Sequence, residues 1–318
     1  MQEHILSHQS NYNISGILYA LGGTFLFSLK PIVIKLAYES GAGELEAITL
    51  LALRMLFAFP FYFLIAWFLL ANRKQKNKNA TEKTFSVSLM FGILVTGFLG
   101  YYLAAYLDIW GLQYISAQLE RMTLFIYPTI VAVLGFVFFK QRITQNIIIA
   151  MLLTYLGIAV MYYQESAFIG EHTAKGMMLV GFSAISFALY MVLSKNYIQR
   201  IGSRLFTSLA MLSSSLFIFI HFMMTGTLSD LSLSIELYLI IAIAAIPCTV
   251  IPSFMISEAI ARIGPAKTSV ANSSGPMITL IVAVSILGEP FSLIYILGMG
   301  LIMWGVYLLS KRGRIPSR

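Results

Sequence analysis

The chain has 318 residues, of which 58% are hydrophobic and only 11% charged, and its mean hydropathy is +0.83. A soluble domain carries about 25% charged residues, so this chain cannot cover itself with a wet surface, and a bilayer must solvate most of it. The net charge of +8 has no soluble domain to carry it, which argues against nucleic-acid binding, and the lone Cys248 excludes an intrachain disulfide.

Residues 1–13, MQEHILSHQSNYN, are polar and hold no Lys or Arg, unlike the basic start of a cleaved signal peptide. They read as a cytoplasmic tail. The apolar stretch that follows carries Lys30 and Lys35, which a signal core would not, so it reads as an uncleaved first span. A spanning helix needs roughly 20 mostly apolar residues. Ten such stretches follow, at approximately 14–36, 46–71, 85–108, 115–139, 144–163, 174–194, 205–225, 236–260, 266–288 and 291–310. Their length predicts helices, because barrel strands would be about 10 residues long with strict alternation. Residues 311–318 form a basic tail.

Lys and Arg set the orientation. With the N-terminus in the cytoplasm, one side's loops and helix ends collect sixteen cations, from Arg73 and Lys74 to Arg314 and Arg318, and the other keeps Lys175. That other side holds Glu39, Glu44, Glu46, Glu165, Glu171, Asp230, Glu236 and Glu289. This split predicts an even number of spans, both termini cytoplasmic, in a cytoplasmic membrane.

The chain also reads as two similar halves. A slide of 160 places Gly16 on Gly176, Phe27 on Phe187 and Lys35 on Lys195; a slide of 148 places Pro128 on Pro276, Met151 on Met299 and Gly157 on Gly305. Five helices per half is an odd number, so the second half would enter the membrane from the opposite side. The expectation is an all-α integral membrane protein of ten transmembrane helices, built as two inverted five-helix repeats over 14–163 and 174–310. Inverted repeats are a recurrent plan for secondary carriers, since two similar halves can exchange roles around a midplane site.

Three segments carry a likeness to a known family: GLQYISAQLERMTLFIYPTIVAVLGFVFF (Gly111–Phe139), ARIGPAKTSVANSSGPMITLIVAVSILGEPFS (Ala261–Ser292) and LRMLFAFPF (Leu53–Phe61). The sequence resembles the EamA-like members of the drug/metabolite transporter superfamily, ten-helix proteins made of two repeated units. The resemblance implies a metabolite carrier and an outward direction. The family often has an acidic residue before the repeat proline, where this chain has Tyr127 and Gly275. Where the second unit reads Gly288-Glu289-Pro290, the first reads Lys140-Gln141-Arg142.

Charges inside hydrocarbon cost several kcal/mol and usually face partners or a wet cavity. Lys30, Arg54, Asp108, Glu120 and Arg121 all fall in the outer half of the first repeat. They are candidates to line a polar cavity, where three cations against two carboxylates suit a substrate with a carboxylate, such as an amino acid or organic acid. The alternative is a closed salt-bridge network that only locks helices together. Glu258 and Arg262, spaced i,i+4, read as a local pair or as an inner gate. A titrating carboxylate would be needed for coupling to protons, with Glu120 the first candidate and Glu258 the second. His221 reads as a packed side chain rather than a proton relay.

Tyr101, Tyr102 and Tyr127 lie deeper than the interfacial Trp110 and Tyr114 and are candidate pocket walls. Asn272, Ser273 and Ser274 stand just before Pro276 and are candidates for the same cavity. Pro31, Pro128, Pro252 and Pro276 fall within spans, where a missing backbone donor kinks a helix, and are hinge candidates. No His-Glu-x-x-His, Cys/His cluster, phosphate-cradling Gly-rich loop or Gly-x-Ser-x-Gly elbow occurs. No enzyme, metal or cofactor is expected. The expected partners are a small-molecule substrate, the bilayer and, for a coupled carrier, protons. A lipid or lipid-linked metabolite translocase and a non-transporting scaffold or sensor remain open alternatives.

Overall fold

The computed structural model describes residues 2–41, 45–76, 86–140 and 145–310. Glu44, Lys78, Lys83, Arg142 and the basic tail 311–318 lie outside the described residues. Among the described residues nine helices are long and apolar enough to cross a membrane: α1 Ile14–Ser40, α2 Ala47–Arg73, α3 Val87–Gly111, α4 Ala117–Phe138, α5 Ile147–Ala167, α6 Thr173–Ile201, α7 Ser203–Thr225, α8 Ile235–Pro265 and α9 Lys267–Leu287. A shorter apolar helix follows, α10 Leu293–Leu308. No strand occurs among the described residues. The chain is therefore all-helical and multi-pass. The helix of α1 continues back through residues 2–13, which the sequence reads as a tail.

Helices dominate because lipid offers backbone groups no hydrogen bonds, so each span must satisfy its own. Ser86, Ser116 and Ser234 start α3, α4 and α8, their hydroxyls accepting from the amides of Leu89, Leu119 and Leu237. Gly202 and Gly264, at φ +87° and +81°, turn the chain between α6 and α7 and between α8 and α9. A side chain would be strained at those angles.

Two irregularities recur at one spacing. A π-helical turn, Phe98–Leu103, interrupts α3, and another, Ile246–Val250, interrupts α8; their starts are 148 residues apart. Helix α4 stops at Leu124 and restarts at Tyr127, with Pro128 in the new first turn. Helix α9 passes through a 3₁₀ turn, Asn272–Ser274, and restarts with Pro276 in its first turn, again 148 residues on. Proline is tolerated there because first-turn amides have no intrahelical acceptor.

The most extensive helix pairings are α5 with α10, α1 with α8, α2 with α7, and α3 with α6. Helices α5 and α10 meet backbone to backbone: a Cβ on Gly157 would stand 2.6 Å from the carbonyl oxygen of Gly298, and one on Gly305 2.7 Å from that of Ala150. Small residues allow such approach in lipid, where no hydrophobic drive holds helices together. The larger core joins α1, α2, α3, α6, α7 and α8 with part of α4, whereas a second cluster joins α4, α5, α9 and α10 with Val180 of α6. Between them lies a cavity.

Candidate functional site

The cavity encloses about 870 Å³ of non-protein space including its mouth, of which about 90 Å³ can hold the centres of water molecules. A single water needs roughly 10–15 Å³ by that measure, so the site has room for several waters or one small organic solute. Its wall comes from eight helices, all but α5 and α10: Lys30 from α1, Arg54 from α2, Asp108 and Tyr101 from α3, Arg121 and Tyr127 from α4, Phe187 from α6, Met211 from α7, Thr249 from α8, and Asn272 from α9. Most of the wall is apolar and aromatic, with a few polar groups converging on it, as is usual in solute sites.

Four of the five charges singled out by sequence therefore share one cavity. Lys30 Nζ donates to Asp108 Oδ2 at 2.5 Å, and both residues are buried. Arg121 Nη2 donates to the carbonyl oxygen of Phe27 at 2.6 Å, and its Nε stands 3.8 Å from Glu120 Oε2. Pro31 explains the first of these contacts. A proline at position 31 has no N–H for the carbonyl four residues earlier, so the Phe27 oxygen is left free for Arg121. Glu120 is 0% exposed and does not line the cavity; neither of its oxygens has a hydrogen-bond partner among the described residues. Arg54 is 3% exposed, and its Nε and Nη1 likewise lack hydrogen-bond partners among the described residues.

Of the predicted aromatics, Tyr101 and Tyr127 line the cavity and Tyr102 does not. The Tyr101 hydroxyl meets that of Tyr190 at 2.6 Å, and the Tyr127 ring stands edge-on to Phe187 with centroids 5.3 Å apart. Tyr102 turns to α7, where it bonds His221 Nδ1 at 3.0 Å and stacks on Phe217. Consecutive residues on a helix point roughly 100° apart, so with Tyr101 turned to the cavity Tyr102 faces α7. From the 272–274 triplet, Asn272 lines the cavity and accepts from Thr24 at 2.5 Å. Ser274 donates to the carbonyl of Ala271 within its own turn and is not part of the wall. The side chain of Ser273 lies outside the described residues.

Of the predicted hinges, Pro128 and Pro276 each open a restarted helix, Pro252 follows the π turn of α8, and Pro31 lies inside an unbroken α1. Glu258 and Arg262 form a separate knot at the opposite end of α8 from the 226–234 connection. Arg262 Nε donates to Glu258 at 2.8 Å and Nη1 to Ser15 at 2.6 Å, Ser203 donates to Glu258, and the Arg262 guanidinium covers the Tyr19 ring. The knot ties α1, α7 and α8 together away from the cavity.

At the other end, Glu165 and Glu289 are more than loop charges. Glu165 accepts from the Ser116 amide and hydroxyl, both at 2.6 Å. Glu289 accepts from the amides of Ala117 and Gln118 at 2.7 and 3.3 Å. Together with the Ser116 hydroxyl they satisfy the first amides of α4, which otherwise have no acceptor, and negative charge is favourable at that helix end. Burial holds the Glu289 carboxyl above its usual range, while the two amides and nearby Lys35 pull it down. Nearby, Lys175 donates to the Tyr114 hydroxyl and holds that phenol below its usual range. Among the described residues no group of three His, Cys, Asp or Glu side chains could hold a metal ion.

Sequence reasoning missed Thr24, Ser28, Ser183 and Thr249 in the wall, but Phe27 and Phe187 carried a signal, being superposed by the slide of 160. The sequence profile of the EamA-like transporter family matches residues 14–163 and 174–311. The chain belongs to that family. This family member is similar to uncharacterized transporter YcbK of Bacillus subtilis, 28% identical over 298 residues that cover 90% of this chain and 89% of that one. It is also 23% identical to an uncharacterized transporter of Archaeoglobus fulgidus over 64% of this chain and 71% of that one. A protein of known crystal structure superposes with a TM-score of 0.65 at 13% identity, covering 93% of this chain and 96% of that one, a likeness of fold. The EamA-like protein is thus a membrane transporter. Its family membership implies a small-molecule substrate and a surrounding of membrane lipid.

Proposed function

We propose that this EamA-like protein is a secondary carrier that takes a small organic solute into the central cavity and moves it by alternating access. The observation that carries the reading is the cavity itself, walled by α1–α4 and α6–α9 with α5 and α10 packed on each other outside it. Two halves of five helices, 14–163 and 174–310, account for that pattern. Exchanging the halves turns the α1–α8 pairing into α6–α3 and maps α2–α7 and α5–α10 onto themselves. The π turns and prolines spaced by 148 residues support the same relation. In an inverted repeat such an exchange interconverts outward-open and inward-open states around the site.

The solute is an amino acid or a related carboxylate-bearing or amphipathic metabolite, moved outward across the cytoplasmic membrane, with both protein termini cytoplasmic. The excess of Lys and Arg on one set of connections supports that orientation. Glu120 is the group best placed to couple transport to protons, being buried beside Arg121 and a helix turn from the cavity wall. Glu258, held by Arg262 and Ser203 at one end of the bundle, fits a gate better than a coupling site.

The test compares medium and cell extract from cells overproducing this protein or its Glu120→Gln or Arg121→Ala form, at matched membrane levels. A few carboxylate-bearing compounds should leave with the wild type only. Equal export by both variants would remove the central role given to these residues. Absence of protein-dependent flux in either direction, for cell metabolites and supplied organic solutes, would refute the carrier.

A further inference from the structure

The cavity wall holds three cations and one carboxylate, with Glu120 behind them, and they do not pair evenly. Lys30 is bound to Asp108 at 2.5 Å. Arg121 is held by the Phe27 carbonyl and by Glu120 at 3.8 Å. Arg54 remains. It faces the cavity, is 3% exposed, and has no partner within the wall for Nε or Nη1 among the described residues. A buried guanidinium with two unpaired nitrogens is costly and is retained where something else supplies the acceptor. Planar guanidinium donors match the oxygens of a carboxylate.

We infer that Arg54 is the anchor for the substrate's carboxylate, and that the substrate is an organic acid of net charge −1 with an apolar or aromatic body rather than a zwitterionic amino acid or a cation. The inference rests on the carrier reading above and narrows its substrate. Charge balance separates the classes. With Glu120 in its ionised form, Lys30, Arg54 and Arg121 exceed Asp108 and Glu120 by one charge, which a monoanion neutralises and a zwitterion leaves in place. An ammonium group would also have to compete for Asp108 with Lys30, which already holds it. The body of the acid has apolar walls to meet, Phe27, Leu124, Phe125 and Phe187 among them.

The probes are three molecules with one body and different heads: 3-phenylpropionate, phenylalanine and 3-phenylpropylamine, titrated into the full-length protein in nanodiscs up to about 10 mM. Binding is read by thermal unfolding and by calorimetry. The propionate should raise the unfolding temperature most, and Arg54→Gln should weaken its binding roughly 10- to 100-fold. A second reading separates an anchor from a structural brace. Removing a buried, unpartnered charge should raise the unfolding temperature of the ligand-free protein, whereas loss of a brace lowers it. The inference is overturned if phenylalanine or the amine binds as well as the propionate, if Arg54→Gln binds it like the wild type, or if none of the three binds. Binding of the propionate without flux in proteoliposomes would leave the Arg54 site standing and refute the carrier instead.

Discussion

The Lys30–Asp108 pair gives the sharpest energetic test of the site. At 2.5 Å and an effective dielectric constant near 20, the gross Coulomb attraction is about 7 kcal/mol. Desolvation offsets much of this, and removing one partner of a buried pair typically costs about 3–5 kcal/mol because the survivor is left uncompensated. The two single variants should differ. Lys30→Met leaves Asp108 in the field of Arg54, so its cost falls at the lower end, about 3 kcal/mol. Asp108→Asn leaves Lys30, Arg54 and Arg121 facing one cavity with only Glu120 behind them, which puts its cost at about 5 kcal/mol. The double variant removes both charges and should recover at least about 2 kcal/mol relative to the sum of the singles. The chain supplies its own reporter: Cys248 is the only cysteine and is 1% exposed, so a thiol-reactive fluorogenic dye reads unfolding directly in detergent. Additivity of the two substitutions within about 0.5 kcal/mol, or a larger loss for Lys30→Met than for Asp108→Asn, would refute the pairing.

Glu289→Ala should free the Ala117 and Gln118 amides and cost on the order of 1 kcal/mol, as cap removals do. Hydrogen exchange should quicken at 117–120 and not at 127–139, and unchanged exchange at 117–120 would remove the capping role. Gly157→Leu should drive α5 from α10, since even a Cβ there meets the Gly298 carbonyl at 2.6 Å; a loss of about 1–3 kcal/mol or more is expected in the dye assay, and a neutral result would refute the backbone contact. Pro31→Ala should return an N–H to the Phe27 carbonyl and compete with Arg121 for it, weakening binding of anionic solutes while leaving α1 helical by circular dichroism. Asp230 accepts from the Thr227 amide and hydroxyl at 2.8 and 2.7 Å, which hold its carboxyl below the usual range. A depressed acid stabilises the fold above its unfolded pKa and loses that effect as pH falls through the folded one, so exchange at 227–231 should rise in acid below about pH 4, and Asp230→Asn should abolish that dependence.

The spans and the gathering of charges were legible because the bilayer leaves few options. A stretch of apolar residues must be a helix, and a charge within it must face another polar group. That logic points to Lys30, Arg54, Asp108 and Arg121, which four helices bring to one cavity. It failed where depth alone does not fix which way a side chain faces. Tyr102 looks as deep as Tyr101, but it lies roughly 100° round the helix and meets His221. Pro31 reads as a hinge, and nothing in its own segment says that the Phe27 carbonyl it leaves free is taken by Arg121. Glu165 and Glu289 read as markers of one membrane face, because nothing in their own segments says that the start of α4 lies within reach.

The two halves contribute unequally to the cavity. A slide of 148 carries Asp108 to Ile256, Glu120 to Thr268 and Arg121 to Ser269, so none of these α3 and α4 charges has a charged counterpart in the second half. What the second half offers instead is neutral: Phe187, Met211, Thr249, Asn272 and Gly275 are among its wall residues. If the halves exchange conformations, the charges stay on one of them, and a bound anion travels with α1–α4 while α6–α9 rearrange around it. The Thr24–Asn272 and Ser28–Thr279 contacts, at 2.5 and 2.9 Å, join the halves beside the cavity through neutral groups alone. Neutral hydrogen bonds contribute about 0.5–1.5 kcal/mol net, against about 3–5 kcal/mol to break the buried ion pair. Beside the cavity the weak bonds thus join the halves and the strong one lies within the first half, whereas the charged contacts between the halves, Glu289 with the α4 amides and Arg262 with Ser15, lie at the two ends of the bundle.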